Sequence, residues 1–146
     1  MAHSLNKVWI HAVWTTKNRV PFINETVEHL IFRNINDEIK GQGCFVKIVN
    51  GMPDHVHSLF VLSRSIAIAD VIRHAKGTSA YYINNNQLLR EKFTWQTEYG
   101  ACSVSESSVG IVERYIRYQK QIHSRRIHTS KNRYWAFYGN ESKKKR

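Results

Sequence analysis

Apolar and polar residues follow two periods along this chain, and the points where the period changes divide it into elements. Val8 to Thr16, VWIHAVWTT, is rich in β-branched and aromatic types and reads as a strand with both faces largely covered. After Lys17 to Pro21, Asn24 can cap a helix in which Val27, Leu30, Ile31, Ile35 and Ile39 recur at helical spacing, and Gly41 and Gly43 end it. Cys44 to Val49 and Val56 to Leu62 are short apolar runs joined by Asn50-Gly51-Met52-Pro53-Asp54, whose turn chemistry predicts an antiparallel hairpin. A second helical stripe, Val71, Ile72, Ala75, Tyr82 and Ile83, runs from about Ile68 to Ile83 and is weakened in the middle by Gly77. A polar loop follows, then a last core strand over Tyr99 to Val104. Ser105 to Ser108 offer caps for one final helix reaching about Ser124 through Ile111, Val112, Ile116 and Ile122.

The order β-α-β-β-α-β plus a helix predicts an α+β, ferredoxin-like fold, an antiparallel sheet with helices on one face and an added C-terminal helix. Its 146 residues, 42% of them apolar, suit a single domain over 1–146, with a basic tail at about 139–146. There are no internal repeats. No apolar run is long enough to cross a bilayer, and Met1 to Lys7 lacks a signal-peptide stretch, so a cytoplasmic protein with no membrane partner is expected. Cys44 and Cys102 lie far apart and form no Cys-x-x-Cys pair, which argues against a zinc knuckle or a disulfide framework.

Charge sharpens this picture. The net charge of +11 favours a polyanionic partner, because each cation that neutralises a phosphate releases a counterion. Through Glu113 there are 11 basic and 10 acidic side chains, whereas Arg114 to Arg146 holds 11 basic and one acidic. Lys143 to Arg146 can be a solubilising tail, but Arg114, Arg117, Lys120, Arg125 and Arg126 sit on the predicted last helix and its end. These five would neutralise a phosphate backbone there, and Lys17, Arg19 and Lys76 could do so elsewhere on the body. Arg133-Tyr134-Trp135-Ala136-Phe137-Tyr138 either stacks on unpaired bases or packs as a short strand.

Two pairs have chemically useful spacing. His55 and His57 flank Val56 at the start of a strand, so both imidazoles project from one face, either as a two-nitrogen metal grip or as hydrogen-bonded surface residues. Tyr115 and Gln119 are one helical turn apart, offering a phenolate nucleophile and an amide oxygen ligand on one side; Tyr115 could equally be a core aromatic. Tyr118 is the rival nucleophile, but a helix turns it about 100° away from Gln119. His123, four beyond Gln119, is a ligand, a phosphate contact or simply exposed. No Walker-type phosphate loop is present.

The segments HAVWTTKNRVPF, MPDHVHSLFV, HAKGTSAYYIN, WQTEYGACSVS and YIRYQ occur in this order between Val8 and Arg126. In this the chain resembles the single-tyrosine transposases of the His-hydrophobic-His superfamily, the TnpA type of single-strand insertion sequences, and the related transposases associated with repetitive extragenic palindromes. The resemblance implies Mg²⁺ or Mn²⁺ held by His55, His57 and Gln119, and attack on hairpin-marked single-stranded DNA by Tyr115 through a 5′-phosphotyrosine link. It also implies a homodimer with merged sheets whose active sites take histidines from one subunit and the tyrosine helix from the other. Tyr118 departs from the pattern, standing where the family often has a polar residue such as asparagine. Two alternatives differ in consequence: a domesticated relative that cuts palindromes without mobilising itself, and a non-catalytic ferredoxin-like module that binds nucleic acid.

Overall fold

A computed structural model describes residues 6–125. Strand β1 (Trp9–Thr15) leads through a 3₁₀ turn at Lys17–Arg19 to helix α1 (Glu28–Gly41), then strands β2 (Phe45–Met52) and β3 (His55–Val61) and helix α2 (Ile68–Asn85). Strand β4 (Gly100–Val104) precedes helices α3 (Val109–Arg117) and α4 (Gln119–Arg125). The four strands form one sheet in the order β2-β3-β1-β4, every neighbouring pair antiparallel, which is the split arrangement expected of a ferredoxin-like domain.

The two central strands explain why β1 and β3 are so apolar. Ile10, Ala12 and Trp14 of β1, with Val56 and Phe60 of β3, point into a core closed by Ile31, Ile35 and Ile39 of α1 and Val71, Ile72, Ala75 and Ile83 of α2. Alternation sends Trp9 and Leu59 to the opposite face, where Val109, Val112 and Ile116 of α3 cover them. The added helix therefore makes a third layer, and β1 and β3 are buried on both sides.

Four details depart from the sequence expectation. Asn24 does gather the chain into α1, accepting from the Thr26 and Val27 amides at 3.0 and 3.2 Å, but regular helix starts only at Glu28. Asn50, Gly51 and Met52, read as turn, are ladder residues paired with His57, Val56 and His55, so only Pro53 and Asp54 turn the hairpin. A Cβ on Gly51 would lie 2.2 Å from the His55 carbonyl oxygen, so glycine is there for close approach of two backbones. The loop between α2 and β4 is not wholly polar: Phe93 and Trp95 are buried, and the Trp95 indole donates to Ser79 Oγ at 2.9 Å. Finally, the last helix is broken at Tyr118, where the backbone leaves helical geometry (φ −103°, ψ 29°).

Arg126, the tail from 139 and the aromatic segment 133–138 lie outside the described residues, as do the side chains of His123 and Arg125. Among the described residues no helix is long and apolar enough to cross a membrane.

Two glycines should respond to alanine with opposite signs. Gly77 is exposed within α2, and an added methyl group there would have no neighbour within 4 Å. Gly77→Ala should therefore stabilise by about 0.5–1 kcal/mol. Gly51→Ala should destabilise by about 1–3 kcal/mol, and urea unfolding of both variants checks the pair.

Candidate active site

The face of β3 that carries Leu59 also carries His55 and His57, and both imidazoles are buried. Their ring centroids are 5.0 Å apart at 77°. Each has a distinct neighbour at Nδ1. For His55 it is Asp54 Oδ1 at 2.7 Å, and Asp54 Oδ2 in turn accepts from Arg19 Nε at 3.1 Å. Burial pushes the Asp54 carboxyl up, but the hydrogen bonds from His55 and Arg19 and the Arg19 charge outweigh it and hold the group down to about 2. For His57 the neighbour is Nε2 of His11 on β1, 2.9 Å away, with the two rings stacked. Burial lowers His11 to about 4, so it is neutral at ordinary pH.

Helix α3 delivers Tyr115 to this face. Its ring meets His57 edge-on, with centroids 5.8 Å apart at 89°, and it packs against the Trp9, Leu59, Val112 and Ile116 cluster. This is a contact within one chain. Tyr118, by contrast, is 48% exposed at the helix break, which separates the two tyrosines cleanly. Gln119 opens α4 rather than continuing α3, yet it stays tied to the nucleophile candidate: it is fully buried, and its Nε2 donates to the Tyr115 carbonyl at 2.9 Å. With the amide nitrogen so engaged, Oε1 is the atom suited to a cation.

The break itself has a physical agent. Carbonyls at a helix end lack intrahelical donors, and Asn50 Nδ2 supplies one to Ile116 O at 2.9 Å and Arg117 O at 3.2 Å. Asn50 pairs in register with His57, so one strand position holds the helix end beside the histidine face. Lys47 to Glu113 at 3.5 Å ties β2 to α3, and an ion pair of Lys120 with Glu28 ties α4 to α1.

The cations proposed for DNA divide by environment. Lys17 and Arg114 are exposed. Arg19 is paired with Asp54, Arg117 with Glu113 at 2.7 Å and Lys120 with Glu28, while Lys76 donates to the Gln96 and Glu98 carbonyls and is pushed down by burial. Those four each have a partner within the protein, and exposed pairs such as Arg19 with Asp54 and Arg117 with Glu113 are weak enough to yield to a phosphate.

A model of the family "Transposase IS200 like" matches residues 4–119, which covers the sheet, the histidine pair, Tyr115 and Gln119. The chain belongs to the IS200-like transposase family. The ISDra2 transposase TnpA of Deinococcus radiodurans is 30% identical over 115 residues, spanning 75% of this chain and 81% of that relative. A crystal structure from Deinococcus radiodurans R1, assigned as a transposase, superposes with a TM-score of 0.65 at 24% identity, over 82% of this chain and 95% of that one. A REP-associated tyrosine transposase bound to a REP hairpin superposes with a TM-score of 0.63 at 13% identity, over 84% and 72% of the two chains. At these identities the two structures establish the shared fold.

Three residues at this IS200-like site escaped the sequence reading. Asp54 and Asn50 carry turn chemistry, which hid a carboxylate beside one histidine and an amide clamp beside the other. His11 was legible only as a strand residue, although alternation with Trp9 would place it on the α3 face.

Asn50→Ala should cost about 1–2 kcal/mol in urea unfolding by removing the clamp on the α3 carbonyls. In metal-free protein His11 adds a pH dependence. Its folded value, about 4, lies below the ordinary 6.5, so the unfolded chain takes up the proton first as pH falls. Its share of stability is complete above 6.5 and drains towards pH 4, by up to about 3 kcal/mol. Wild type should lose stability relative to His11→Phe as pH falls through that window when unfolding is followed in EDTA.

Proposed function

We propose that this transposase cleaves and rejoins single-stranded DNA at hairpin-marked ends, with Tyr115 as nucleophile and a divalent cation, Mg²⁺ or Mn²⁺, held by His55, His57 and Gln119. The observation that carries the reading is the edge-on contact of Tyr115 with His57, which joins the two pairs singled out by spacing although they lie far apart in sequence. The donor set fits a cation: each imidazole has its Nδ1 against another side chain, which orients the ring so that Nε2 would be the ligating atom. Gln119, fully buried and donating its Nε2 to the Tyr115 carbonyl, would offer its amide Oε1 as the third ligand.

The bound cation would polarise the scissile phosphate and offset charge gathering on its oxygens. Tyr115 supplies the attacking oxygen. Its Oη forms a bond to phosphorus as the bond from phosphorus to the 3′ oxygen breaks; the phenolic proton is lost, the leaving 3′ oxygen gains one, and a 5′-phosphotyrosine remains. One phosphodiester replaces another, so a different 3′-hydroxyl can reverse the step without ATP. Exposed Lys17 and Arg114 would contact the backbone. Recognition of a hairpin is supported by the structural neighbour solved on a REP hairpin. A domesticated relative would run the same chemistry, and only its DNA targets would differ.

The active protein is proposed to be a homodimer. The observed contact is within one chain, so imidazoles and phenol need no second subunit to meet; an exchanged site requires α3 and α4 to leave this sheet for the partner's and remake there the contacts of Asn50 and the apolar cluster. Mixing a His55→Ala, His57→Ala double variant with Tyr115→Phe distinguishes the two. Recovered cleavage assigns the site to two subunits, and no recovery despite proven subunit exchange assigns it to one.

Purified protein with Mn²⁺ and a hairpin-bearing single strand should give an SDS-stable protein–DNA adduct, absent with EDTA, absent in Tyr115→Phe and retained in Tyr118→Phe. The reverse pattern for the tyrosines would reassign the nucleophile. Salt-dependent binding indifferent to EDTA and to His55→Ala, with no adduct, would reduce the protein to a binding module.

A further inference from the structure

The chemistry just described gives no part to His11, a fully buried polar residue in direct contact with a proposed ligand. His11 pairs with Leu59 across the β1–β3 ladder and His57 with Val13, so the two histidines are diagonal neighbours on one sheet face. Nε2 of His11 lies 2.9 Å from Nδ1 of His57, and the rings stack with centroids 5.1 Å apart at 29°.

A hydrogen bond between two imidazole nitrogens contains one proton, so only two neutral arrangements exist. If His11 donates, Nδ1 of His57 is the acceptor and His57 carries its own proton at Nε2, where it blocks ligation. If His57 donates from Nδ1, its Nε2 keeps a lone pair for a cation. The adjacent histidine follows the second pattern: the Asp54 carboxylate is acceptor-only, so at 2.7 Å it receives the Nδ1 proton of His55 and leaves that ring's Nε2 to ligate. A site using both rings through the same nitrogen needs an acceptor behind each. Asp54 stands behind one and His11 behind the other.

We propose that His11 is a positioning residue of the metal site, accepting the Nδ1 proton of His57 and so holding His57 in the tautomer that turns an Nε2 lone pair to the cation. This rests on the metal-binding reading above. In this role His11 acts on the cation through His57, as outer partners of ligating histidines do.

Two measurements on the full chain test it. In metal-free, ¹⁵N-labelled wild type, long-range ¹H–¹⁵N correlation should show neutral His57 protonated at Nδ1, and protonation at Nε2 would overturn the assignment. Mn²⁺ titration followed by EPR should show affinity weakened by about 10–100-fold in His11→Phe, which removes the acceptor, and largely restored in His11→Gln, whose Oε1 can accept at similar reach. Binding in His11→Phe as tight as in wild type would refute the role of His11 while leaving the metal site standing. Wild type that binds no Mn²⁺ would remove the metal reading and this inference together. Circular dichroism confirms folding of each variant; should His11→Phe fail to fold, the wild-type tautomer and the affinity of His11→Gln decide.

Discussion

Two imidazoles buried side by side on a β-sheet impose a strict requirement, because each ring has two nitrogens that must be hydrogen-bonded or bound. Much of the architecture answers it. Asp54 at the hairpin turn meets one Nδ1, and His11 on the neighbouring strand meets the other. Arg19, from the 3₁₀ turn after β1, steadies the Asp54 carboxylate in turn. Hence Asp54, next to His55 in the chain, and His11, brought from far earlier in it, converge on the two rings, and the central position of β3 and β1 in the sheet makes that convergence possible.

The sheet also separates two tasks. One face, with α1 and α2, holds the larger apolar cluster. The other, under α3, has a smaller cluster in which Trp9, Leu59, Val109, Val112 and Ile116 surround Tyr115, next to the polar row of His11, His55 and His57. Burying a polar row costs free energy unless it is partnered, and a second hydrophobic layer would not be expected to tolerate it without a compensating role. The cation site proposed for this IS200-like transposase would give such a row that role.

Local signals carried a good part of this into the amino-acid sequence. The helical stripes of α1 and α2, the alternation in β1 and the placement of two histidines on one strand face depend on neighbours a few residues away, and all were legible. What escaped depends on partners far along the chain. The break at Tyr118 is matched by an amide from Asn50, and no pattern within residues 105–124 announces it. Phe93 and Trp95 sit in a stretch whose surroundings are polar, and only the tertiary fold shows that they are buried. Gly51 looked like turn chemistry because the same residue type serves tight turns and close strand contact alike.

The interruption between α3 and α4 has a mechanical corollary. A continuous helix would transmit any rotation of Tyr115 to Gln119 as one rod, whereas here the two side chains belong to separate short segments joined at a single non-helical residue. Each segment has its own anchor, α3 in the apolar cluster on the sheet and α4 through the ion pair of Lys120 with Glu28. A substitution at position 118 would thus act on the spacing of Tyr115 and Gln119 without altering either of them.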